Sequence, residues 1–158
     1  MIAMDPLWLK IVHVLSAAVV LGGSIGIGFF MWRADRGRDA AIVAATGRIV
    51  MLAEALLTAP AVAGVAATGV LIAGAYGLSL WRGWLGIAMA LLAISGLCWA
   101  AGLWLHGAAW RLAAAAAGAG TPLPPRYFRL MRVWYRLGWP STVAILGVFG
   151  LMVLKPAL

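Results

Sequence analysis

The stretch Leu7 to Trp32, LWLKIVHVLSAAVVLGGSIGIGFFMW, holds one lysine and one histidine in a run that is otherwise apolar or small. It exceeds the ~20 residues that an α-helix needs to cross a ~30 Å hydrocarbon layer. Lipid offers no water to backbone N–H and C=O groups, so such a run satisfies them only as a helix. Three more stretches read the same way, at about 49–76, 84–110 and 139–154. The last is short enough to need a thinned bilayer or help from its flanks. Charged residues are 10% of the 158 and apolar residues 65%, too little charge to clothe a soluble domain. The fold class is therefore all-α: a single-domain integral membrane four-helix bundle.

Charge placement gives the orientation. Arg33, Arg36, Arg38 and Arg48 lie between the first two spans, and Arg111, Arg126, Arg129, Arg132 and Arg136 between the last two. Lys10, Arg82 and Lys155 fall on the other side. The positive-inside rule puts both arginine-rich loops in the cytoplasm and both termini outward. Topology and anionic lipid thus account for the net charge of +8. No basic groove with interleaved aromatics lies outside the membrane boundary, so nucleic acid is not an expected partner. Asp5 followed by Pro6 reads as a helix cap and a first-turn proline, and the first run is too long and lacks the basic lead of a cleaved signal peptide. Cys98 is the single cysteine, so no disulfide can close within the chain.

Ala113 to Pro125 begins as an alanine run and ends in Gly118, Gly120, Pro122, Pro124 and Pro125, and reads as a linker that is flexible and then stiff. After it, the arginines at 126, 129, 132 and 136 share one helix side, while Tyr127, Leu130, Met131, Trp134 and Leu137 cover the other. This predicts an amphipathic interfacial helix over about 126–137, ended by Pro140 before the last span. Its arginines would anchor to lipid phosphates or dock an acidic partner. Within the spans, Gly22 and Gly26 have GxxxG spacing, Ser24 and Gly28 repeat it, and Gly64, Gly69 and Gly74 dot the second span, a pattern of close helix packing that also serves self-association. Pro60 predicts a kink there with a released carbonyl.

Three titratable groups sit well inside the apolar runs, His13, Glu54 and His106, and polar groups at such depth carry a functional hypothesis. His13 shares its helix side with Ser16, Ala17, Val20 and Ser24, all but one of them very small, which leaves room beside an inward imidazole for something flat, such as a haem. The alternative is an imidazole hydrogen-bonded to a neighbouring helix or to water. At ~1.5 Å per residue, His13 lies roughly 9 Å below the outer boundary and His106 within roughly 10 Å of the inner one, too far apart in depth to clamp one iron. Met89 is the soft side chain of the third span at the level of His13, giving a His/Met or a five-coordinate site. Glu54 and His106 lie at matching depth and are candidates for a buried polar pair. Glu54 could instead reach the surface or pair with Arg48, Arg111 or Arg132.

The opening Trp8-Leu9-Lys10-Ile11-Val12-His13, the Gly22-Gly23 after it, the Arg82-Gly83-Trp84-Leu85 that starts the third span and the closing Leu151-Met152-Val153-Leu154-Lys155-Pro156 resemble an uncharacterised family of bacterial integral membrane proteins. That family looks distantly related to the copper-resistance D-type proteins and the HemJ-type protoporphyrinogen oxidases. The resemblance implies a bacterial inner-membrane location and haem b on His13. In the oxidase branch it also implies a lysine a few residues after the Gly-Trp-Leu and a second histidine at the end of the first span. Here Gly83-Trp84-Leu85-Gly86-Ile87-Ala88 holds neither lysine nor histidine, and Trp32 stands at the other place, so oxidase activity does not carry over. Two functions follow as expectations. One is a cytochrome-like protein in which His13, with Ser16 and Met89 beside it, binds haem b for electron transfer or haem handling, partnered by quinone or a membrane oxidoreductase. The other is a non-catalytic accessory or structural subunit that packs against itself or a larger complex.

Overall fold

The computed structural model describes residues 6–156, and these are almost wholly helical. Asp5 and its capping role lie outside the described residues. Helix α1 runs Pro6–Gly37, α2 Ala40–Ala53, α3 Ala59–Ala75, α4 Gly83–Gly118 and α5 Pro125–Leu154, with a π-helical turn, Glu54–Thr58, joining α2 to α3. Because α2, the turn and α3 run on as one rod, four rods are long and apolar enough to span a bilayer, and the molecule is an all-α membrane four-helix bundle. At ~1.5 Å per residue the 32 residues of α1 and 36 of α4 measure roughly 48 and 54 Å. Both outrun the hydrocarbon layer.

The excess length lies mostly at the arginine-bearing end, where the sequence suggested linkers. The alanine run 113–117 continues α4 up to Gly118, since alanine has the best helix propensity and no side-chain entropy to lose. Only then does the chain turn, through Gly120 at φ +63°. The separate interfacial helix at about 126–137 is also corrected: it forms the first part of an unbroken α5 that carries Pro140 inside it. Its apolar face is not laid on lipid. Tyr127 and Met131 are buried in the core, so α5 stands upright against the bundle and its arginines point away. Between α1 and α2 the connection is Arg38 and Asp39 alone, and the Asp39 carboxylate caps α2 by accepting from the Ala41 and Ile42 amides at 2.8 and 3.1 Å.

Packing divides the rods into two layers. α1 lies on α3, α4 lies on α5, and α2 binds both α1 and α4. The main core is at the arginine end, where Ile27, Met31, Val43, Val50, Tyr127 and Met131 meet around Ala109 and Ala113. Those two alanines are wholly buried, which lets α4 approach its neighbours closely. Towards the other end α1 and α3 meet through glycine: a Cβ on Gly64 would sit 2.7 Å from Ser16 Oγ, and one on Gly69 3.3 Å from His13 Cε1. By contrast Gly22, Gly26 and Gly28 have open space where a Cβ would point, so the GxxxG pair makes no close contact within the chain.

Candidate functional site

Pro60 shapes the middle of the second rod. Proline has no N–H to donate, and its ring presses on the carbonyl one turn back. The kink expected there takes the form of a π-helical turn, in which the Ala59 N–H bonds to the Glu54 carbonyl, five residues earlier. One extra residue in the turn re-aims the side chains around it. Glu54 opens this turn half-buried, and its Oε2 accepts a hydrogen bond of 2.9 Å from Trp99 Nε1 on α4. Among the described residues Glu54 has no further hydrogen bond and no ion pair, so none of Arg48, Arg111 and Arg132 reaches it and Oε1 has no partner.

Glu54 lines a cavity of about 620 Å³, a size suited to a small organic molecule. Ser24, Phe29 and Trp32 of α1 form one side, and Cys98, Trp99 and Gly102 of α4 the back. Trp134, Tyr135, Trp139 and Ser141 of α5 form the other side. The helices stay apart here because α1 and α5 touch over only a short stretch, and α4 is held by α5, in part through a 2.9 Å bond between the Ser95 and Ser141 hydroxyls. Phe29 and Trp139 are exposed at the rim between α1 and α5. The rim thus lies on the outer flank of the bundle, between two rods.

Two polar arrangements flank the cavity. Below it, towards the arginine end, the Asp35 carboxylate of α1 accepts hydrogen bonds from the Tyr127 hydroxyl and, at 2.7 Å, from the Tyr135 hydroxyl, both on α5. Tyr127 is 1% exposed and Tyr135 lines the cavity. Behind the Trp134 wall lies His106, 2% exposed, with its ring centroid 5.3 Å from that of Trp134. Its Nε2 has no hydrogen-bond partner among the described residues. The expected pair of Glu54 and His106 is thus not formed, because the glutamate is turned to Trp99 and the histidine lies under Trp134.

His13 is seated against α3. Its Nδ1 lies 2.9 Å from Thr68 Oγ1 on α3, and that hydroxyl also donates to the Gly64 carbonyl at 2.5 Å. Since the threonine proton is committed, the imidazole donates from Nδ1. Thr68 on one side and the backbone of Gly69 beside Cε1 leave the ring seated against α3, the alternative that the sequence left open. Ser16 is likewise pressed on Gly64. Met89 is on α4, which packs on α5 and α2, so the structure does not bring it to His13. Neither His13, Ser16 nor Met89 lines the large cavity. Among the described residues no three His, Cys, Asp or Glu side chains gather to hold a metal ion.

A family model described as "Predicted integral membrane protein (DUF2269)" matches residues 7–156. The chain belongs to this family. No curated protein and no solved structure matches it. DUF2269 membership accords with four membrane-spanning rods; it carries no statement about haem, copper or oxidation. In this DUF2269 chain the site residues that sequence reasoning missed are Trp99, Asp35, Tyr127, Tyr135 and Thr68. Trp99 is one of nine tryptophans, and the sequence gives no sign that sets it apart. Asp35 stands with Asp39 among Arg33, Arg36, Arg38 and Arg48, and nothing in the sequence separates the two acids.

Proposed function

We propose that the protein is an intramembrane binding protein, which takes a lipid-soluble small molecule from the bilayer between α1 and α5 and holds it with its polar group at Glu54. The observation that carries this reading is a carboxylate with one neutral donor and no ion pair among the described residues, lining a cavity large enough for such a molecule between rods long enough to span a bilayer. A polar group at this depth is costly, and one kept in a cavity is more useful than one kept in a packed seam. The excess of arginine at one end favours a bacterial inner membrane with that end in the cytoplasm, so that the cavity lies nearer the cytoplasmic face: Glu54 is six residues, roughly 9 Å, along the rod from Arg48.

Cys98 is the one cysteine of the chain and lines the cavity, which makes it a reporter. With the neutral ring compound N-phenylmaleimide, labelling of Cys98 in lipid nanodiscs is expected to saturate with reagent concentration, the mark of binding before reaction. Gly28 also lines the cavity and has open space at its Cβ position, so Gly28→Phe adds a ring to the cavity wall. It is expected to slow the labelling about tenfold, equivalent to ~1.4 kcal/mol of lost binding. Labelling that stays linear and is equal in the two proteins overturns the proposal. An absorption spectrum of the same samples checks the haem reading: a Soret band that disappears in His13→Ala would restore it in place of this one.

A further inference from the structure

Resting on the reading of the cavity as a ligand site, we infer that its ligand is cationic: a lipophilic organic cation or an amine on an apolar body, with its charge on Glu54. Among the described residues this carboxylate lacks a counter-charge. Its one hydrogen bond comes from a neutral indole N–H, and a single neutral donor does not offset the cost of removing a carboxylate from water. The nearest arginine along its own rod, Arg48, is exposed, and Arg36 is engaged by the Trp32 ring at 4.9 Å. A ligand that brings the positive charge completes the site.

The rings around Glu54 select the same chemistry. Trp99 gives its N–H edge to the carboxylate, and its indole lines the same cavity. Phe29, Trp134 and Trp139 supply further rings, and attraction of a cation to such faces grows when both are out of water. A quinone, in contrast, presents carbonyl acceptors to a carboxylate and gains nothing there. A bare metal ion needs several oxygen, nitrogen or sulfur ligands, and among the described residues Glu54 belongs to no group of three His, Cys, Asp or Glu that could hold one. The opening towards lipid adds the last condition, because a cation arriving that way must be coated with apolar groups.

The test is equilibrium dialysis of tetraphenylphosphonium against the purified protein in dodecyl maltoside, with neutral triphenylphosphine oxide in parallel. Saturable binding of about one cation per chain is expected, with the neutral compound at least tenfold weaker. Glu54→Gln is expected to weaken the cation at least tenfold. Glu54→Asp keeps the charge and most of the affinity, which covers the case of a misfolded glutamine variant. Equal affinity for cation and neutral compound, or cation binding that Glu54→Gln leaves unchanged, overturns the inference while the cavity reading stands. If the cavity reading itself fails, neither probe binds and Cys98 labelling of the wild type stays linear. Displacement of the cation by phosphatidylethanolamine and not by phosphatidylglycerol assigns the charge to a lipid headgroup. No displacement by either assigns it to a free lipophilic cation, and equal displacement by both counts against recognition of charge.

Discussion

Asp35→Ala is expected to lower the stability of the detergent-solubilised protein by about 2–5 kcal/mol, because two buried hydroxyls lose their acceptor together and each unpaired group costs about 1–3 kcal/mol. Tyr127 and Tyr135 both donate to this carboxylate, one to each oxygen, and Tyr127 is almost without exposed surface. The bonds also tie α1 to α5, a pair that touches over only a short stretch, so few other contacts take over when they go. For a chain of this size the loss corresponds to a fall in melting temperature of roughly 10 °C. Tyr135→Phe deletes one donor and leaves the carboxylate with Tyr127, and is expected to cost only about 1 kcal/mol. A melting curve of Asp35→Ala within a degree of the wild type would show that water already serves these hydroxyls.

Gly64→Val is expected to cost about 3 kcal/mol through a different mechanism. Even a single added carbon at this position would come within 2.7 Å of Ser16 Oγ, and valine adds two more that α1 must move away to admit. The displacement falls on the same seam as the bond from His13 to Thr68, so that bond is strained with it. Gly64→Ala is milder, since Ser16 is short and turns aside. Combining it with Ser16→Gly is expected to recover most of the loss, which a double-mutant cycle in thermal stability reads as a coupling of about 1 kcal/mol. Additive effects in that cycle would mean that α1 and α3 do not meet through these two residues.

The spans were legible in the sequence because lipid leaves the backbone a single solution, and a long apolar run therefore announces a helix without any knowledge of its neighbours. Their ends were less so. The alanine run was read as a linker on account of the glycines and prolines after it, whereas alanine's own preference carries α4 to Gly118. Pro140 was read as a break, and α5 passes through it because the docking of Tyr127 and Met131 on the core fixes the direction of the helix before the proline is reached. Pro60 was read correctly as a disturbance, but not as a π-helical turn, since the inserted residue leaves no mark in a uniformly apolar run.

The site divides along a similar line. Glu54 stood out from its depth alone, as an intramembrane carboxylate must. Its partner is not legible, because depths counted along separate rods carry an error of a turn or more: His106 and Trp99 lie two turns apart on one face of α4, and the structure chooses Trp99. His13 stood out for the same reason as Glu54. What holds its ring is Thr68, a residue that in sequence is one small polar side chain among alanines and glycines.

The bilayer-facing cavity at Glu54 is tested most directly by a nitroxide attached to Cys98 in lipid nanodiscs and followed by electron paramagnetic resonance with power saturation. A mobile spectrum, frequent collisions with dissolved oxygen and few with a water-soluble nickel chelate are expected for a roomy space reached from lipid. An immobilised spectrum without collisions would mean that the middle of the bundle is filled, and that no molecule enters between α1 and α5.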